Sequence, residues 1–83
     1  MTDEHVLQTM QRVATEVSGG HFTLMRFTTN WRATFQTVNS REDVDTAHEG
    51  STLQDACLAA LAEWAIAKGQ QERRERMAKK VRQ

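Results

Sequence analysis

GGHFTLMRFTTNWRATFQTV, residues 19–38, holds two segments rich in Thr, Phe, Trp and Val on either side of Thr29-Asn30. Such side chains suit a pleated, half-buried surface, and Asn tolerates the positive φ that tight turns need. Residues 21–29 and 31–38 are therefore expected to form a β-hairpin. The second segment alternates, with Trp31, Ala33 and Phe35 on one face and Arg32, Thr34 and Gln36 on the other. The first does not, since Phe22 and Leu24 fall on one face and Met25 and Phe27 on the other.

That conflict leaves two registers. A two-residue turn pairs Thr28 with Trp31 and sets Arg26 among Trp31, Ala33 and Phe35. A three-residue turn pairs Phe27 with Trp31 and Met25 with Ala33, and sends Arg26 outward. The second is preferred because it buries no arginine. In either register one apolar pair sits on the face away from the core. Two strands alone are marginal in water, so a third strand or a partner's strand is expected beside them.

Before the hairpin, residues 3–17 read as an amphipathic helix, with Val6, Met10, Val13 and Val17 on one stripe. Thr2 is placed to cap its start, Asp3 and Glu4 suit the positive end of the helix dipole, and Gly19-Gly20 ends it. After the hairpin, NSREDVDTAHEG (39–50) reads as a polar, acidic loop with room for a short third strand at Val44–Ala47. A second helix starts near Ser51, which forms a capping box with Gln54. Its stripe is Leu53, Cys57, Leu61 and Trp64.

Past Lys68 the stripe thins to Met77 and Val81, but the chain stays helix-competent through the pairs Glu72 with Arg76 and Glu75 with Lys79. An unbroken helix over 52–82 would be roughly 45 Å long at about 1.5 Å per residue. A globule of this chain length has a radius of gyration of about 12 Å. Such a helix must project, break near Gly69 or pack on another chain. The expected fold class is α+β, in the order α-β-β-α. Both helices cover one face of an antiparallel hairpin sheet, and a long basic C-terminal helix or tail follows.

Charge divides the chain at the same place. Residues 1–67 carry nine acids and four bases, whereas 68–83 carry seven bases and two acids, although the whole is formally neutral. The expected organisation is a compact acidic domain over 1–68 and a basic helical extension over 69–83. Cys57 is the single cysteine, which fits a reducing compartment such as the cytoplasm. MTDEHVLQTM is too polar for a signal peptide, and no apolar run approaches the roughly 20 residues of a membrane span.

Little in the chain suggests covalent chemistry. Cys57 lies on the apolar stripe and reads as a small buried hydrophobe. His5, His21 and His48 share no metal-ligand spacing, and the acids Glu42, Asp43, Asp45 and Glu49 lack the regular spacing of a calcium loop. Gly19-Gly20 precedes a strand, so it cannot set a helix N-terminus at a phosphate. The expectation is a non-enzymatic protein with no cofactor or metal.

Two contact surfaces are expected instead. Phe22, Leu24, Arg26 and Arg32 on the hairpin would form a protein-binding patch, since arginine and aromatic groups anchor interfaces. That patch also predicts homodimerisation. Arg73, Arg74, Arg76, Lys79, Lys80 and Arg82 would follow a phosphate backbone, with affinity falling as salt rises. The tail has no aromatic residue on which a base could stack.

The stretch HEGSTLQDACLAAL resembles the G-x-T-x-x-x-A helix entry of HicB-type antitoxins, through Gly50, Thr52, Ala56 and Ala60. The resemblance implies a strand pair leading into a helix. This chain has a helix before its strands and no recognisable DNA-binding domain after the second helix, so antitoxin function is not implied. GGHFTLMRFTTNWRATF, in its helix–hairpin–helix setting, is similar to small α/β proteins of phages and prophages. What this likeness suggests is a phage-related interaction protein that occupies a surface of a larger protein, such as a host defence nuclease. The alternative is a nucleic-acid-binding module that uses the tail.

Overall fold

Thr2 accepts a hydrogen bond from the backbone N–H of His5 and opens α1 (Asp3–Val17). Gly19 and Gly20, at φ 63° and 91°, turn the chain out of that helix in a conformation that other residues adopt at a cost. The chain continues through β1 (Thr23–Arg26), β2 (Trp31–Thr34), α2 (Arg41–Thr46), β3 (His48–Gly50) and α3 (Leu53–Val81). This computed structural model describes residues 2–81, with side chains described through Ala78. The strands form one antiparallel sheet in the order β1-β2-β3. The α+β class, the hairpin and the long C-terminal helix are as the sequence predicts.

The hairpin register is neither of those expected. Arg26 pairs with Trp31, Met25 with Arg32 and Leu24 with Ala33. The connection is therefore the four residues Phe27–Asn30, closed by the Phe27 N–H donating to the Asn30 carbonyl. Paired residues share a face, so Leu24 lies with the fully buried Ala33 and faces the core, as Phe22 does. Met25 and Arg32 face the other way. Arg26 comes to the core face without being buried, because it ends the strand at the rim. There its guanidinium lies 5.4 Å from the centre of the Trp31 ring.

The polar segment 39–50 is also corrected. Residues Arg41–Thr46 form a short helix rather than a strand, opened by Ser40, whose hydroxyl accepts from the Asp43 N–H. The third strand exists but lies later, at His48–Gly50, where Trp31, Arg32 and Ala33 pair with Gly50, Glu49 and His48.

The cap of α3 is Thr52, not Ser51, since the Thr52 hydroxyl accepts from the Asp55 N–H. Ser51 donates instead to the Asp55 carboxylate. α3 runs 29 residues without interruption through Gly69. Its first half lies across β2 and β3, and α1 packs beside it. Val6 and Met10 thereby meet Ala33, Ala56, Cys57 and Ala60 in one core, flanked by Phe22, Leu24, Trp31, Phe35, Leu53 and Leu61. The second half of α3 projects, which raises the radius of gyration to 15.0 Å and the longest dimension to 55 Å. No described helix is long and apolar enough to cross a membrane.

Candidate interaction surfaces

The residues expected to bind a protein partner are not brought together. Leu24 and Arg26 lie on the core face of β1, Phe22 packs on the core just before that strand, and Arg32 lies on the opposite face of β2. Arg32 is committed internally. Its Nη1 donates to the Val44 carbonyl at 2.8 Å and lies 4.0 Å from Asp45, while Nη2 lies 3.9 Å from Glu49. The guanidinium also stands 5.8 Å from the Phe27 ring centre. It therefore ties α2 to the sheet through one hydrogen bond and stands within ion-pair distance of Asp45 and Glu49.

That arrangement leaves an open cleft of about 650 Å³ on the outer face of the sheet, between the hairpin connection and α2. Phe27, Val38 and Val44 supply apolar surface, and Asn30, Arg32 and Arg41 supply polar groups. Phe27 is 42% exposed. Arg41 is exposed and has no ion-pair partner among the described residues. The Asn30 amide donates to Glu49 at 2.7 Å, which fixes its orientation, and its Oδ1 is buried without a partner. Phe27, Asn30, Arg41 and Val44 are not among the contact residues that the sequence predicts. The signal for Phe27 was present, since it breaks the apolar alternation of its segment.

The other candidate residues divide differently. Arg73, Arg74 and Arg76 are exposed on the projecting half of α3. The side chains of Lys79 and Lys80, and all of Arg82, lie outside the described residues. Cys57 is fully buried, and burial, with the Asp3 carboxylate adding to it, pushes its thiol pKa up. His48 lies against Glu63 of α3, and no cluster of three metal-ligating side chains occurs among the described residues.

Each residue of the G-x-T-x-x-x-A pattern has a local role. Gly50 permits close approach to α3, Thr52 caps it, and Ala56 and Ala60 are buried against the sheet. Comparison with protein-family models, curated proteins and solved structures finds no match to this chain.

Proposed function

We propose that the protein is a small non-enzymatic interaction module whose working face is the cleft between the hairpin connection and α2. The observation that carries this reading is the open cleft itself, where a half-exposed Phe27 stands beside Val38, Val44 and the unpaired Arg41. Aromatic and arginine side chains are the groups that most often anchor protein contacts. The occupant is a loop or extended segment of a larger protein.

The sharper form of the reading is a phage-related inhibitor that covers the working surface of a host enzyme such as a defence nuclease. The acidic body, nine acids against four bases over residues 1–67, supports it. The grooves in which nucleases hold nucleic acid are basic, and opposite potentials speed and orient encounter.

The test is affinity capture from cells in which the gene resides, using the full chain, Phe27→Asp and Arg41→Glu. Both substituted positions are exposed at the cleft, so the fold should survive. The expected result is one protein retained by the wild type and lost from both variants. A capture pattern that ignores both substitutions overturns the assignment of the cleft.

A further inference from the structure

One face of α3 changes character along its length. Asp55, Leu58, Ala62 and Ile66 recur at spacings of three and four residues, and Gly69, Arg73 and Met77 continue the same series. The pattern repeats after eleven residues, from Asp55 to Ile66 to Met77. Such a period, about 3.67 residues per turn, holds a stripe on one side of a nearly straight helix. This side faces away from the sheet. Asp55, Leu58, Ala62 and Ile66 are exposed there, Leu58 by 42% and Ile66 by 62%, although they sit in the packed half of the helix. On α3 itself this half of the face carries Asp55, with Glu63 at its border, and no base, while α1 adds one charge of each sign beside it, Arg12 and Glu16. In the projecting half the same face carries Arg73 and Met77, flanked by Arg74 and Arg76.

A surface that is acidic and apolar in one half and basic in the other is complementary to its own reverse. We infer that two copies of this chain pair along α3, antiparallel, with each projecting arm lying on the Leu58–Ile66 surface of the other. Full overlap of two Leu53–Val81 helices places the two-fold axis at the level of residue 67, on the side of Ile66 and Gly69. Ile66 then meets the partner helix near Gly69, where nothing lies within 4 Å of a built Cβ and the backbones can approach. Met77 reaches the surface of Leu58 and Ala62, and Arg74 comes within reach of Glu63.

The length of the helix supports the same occupant. Gln71 lines a hollow with Glu16 and Val17, and beyond it no described residue of the arm makes a hydrogen bond or ion pair to the body. An arm of this length spans the exposed face of a second body, and the contact is closed after two copies. Opposed helix dipoles add to the attraction. The outer sheet cleft takes no part, so this pairing and the proposed function stand or fall separately.

Sedimentation equilibrium of the full chain at about 100 μM, a range in which micromolar pairing is complete, should give twice the 9.5 kDa chain mass. Ile66→Glu leaves the core untouched and should weaken pairing about tenfold or more, roughly the effect of 1.4 kcal/mol or greater. Direction is read by thiol cross-linking with a short bis-maleimide. A Leu58→Cys chain mixed with a Met77→Cys chain should cross-link. Leu58→Cys alone should not, because its two copies stand about 27 Å apart at roughly 1.5 Å per residue. Cys57, fully buried, gives no product of its own.

A monomeric wild type, a dissociation constant unchanged by Ile66→Glu when both proteins are sedimented over a dilution series, or cross-linking of Leu58→Cys to itself overturns the inference. So does a wild type that stays monomeric and is retained on duplex DNA at about 50 mM salt, which would assign the arm to a polyanion.

Discussion

Gly50 and Ala56 touch through their backbones: a Cβ placed on Gly50 would stand 2.3 Å from the Ala56 nitrogen and 2.6 Å from the Asp55 carbonyl carbon. The last residue of β3 is thereby pressed against the first turn of α3. Gly50→Ala must separate strand and helix, because the atoms in the way are backbone. The expected loss is about 2 kcal/mol or more, at the upper range of overpacking. Urea unfolding of the two proteins measures it, and equal midpoints would show that the approach is looser than described.

Thr52 and Ser51 separate two ways of starting the same helix. The Thr52 hydroxyl accepts the Asp55 N–H, whereas Ser51 bonds only a side chain. Thr52→Ala should cost about 1 kcal/mol, the usual worth of an N-cap. Ser51→Ala should fall within about 0.5 kcal/mol of the wild type, as exposed substitutions usually do. Thermal unfolding of both variants is the check, and a larger loss from Ser51→Ala would return the cap to that residue.

Leu24 faces Ala33 and the core, so its replacement by a charge should act on folding rather than on association. Leu24→Asp is expected to destabilise by about 3 kcal/mol, from lost apolar burial and an unpaired carboxylate. Circular dichroism against denaturant reports this. A folded Leu24→Asp protein with wild-type midpoint would place β1 in a different register.

The sequence was most legible where side chains repeat with a clear period. α1 follows from Val6, Met10 and Val13, and its end from Gly19-Gly20. The hairpin was legible as a hairpin, but its register was not. Phe27 looks like a strand residue, yet its N–H closes the four-residue connection, and Arg26 escapes burial only because it ends the strand. The rule against burying arginine gave the wrong answer because it ignored strand ends. α2 has a single apolar residue, Val44, and so no period to detect, although Ser40 followed by Asp43 is a helix-start signal. The outer cleft was illegible for a different reason. It depends on Arg32 bonding the Val44 carbonyl twelve residues away, a contact that no local pattern encodes.

Cys57 offers a stability test through pH. Its thiol pKa is raised in the folded protein, mainly by burial and further by Asp3. The unfolded thiol ionises near its ordinary value of about 8.5. Above that pH the unfolded chain has lost a proton that the folded chain keeps, so stability is full below about 8.5 and falls as pH rises beyond it. Cys57→Ala should flatten that slope, whatever it does to absolute stability. Denaturant midpoints between about pH 7 and 10 decide it, and an identical slope in both proteins would assign the effect elsewhere.

The core of this chain is built from small side chains: three of its six clustered buried residues are alanines, and the largest is Met10. Domains this short bury little and fold with a narrow margin. Any molecule that binds the folded form adds to that margin by mass action. Cellular half-life should therefore track occupancy. Protein without a bound mate would be cleared fastest, and its level would follow the supply of whatever it binds.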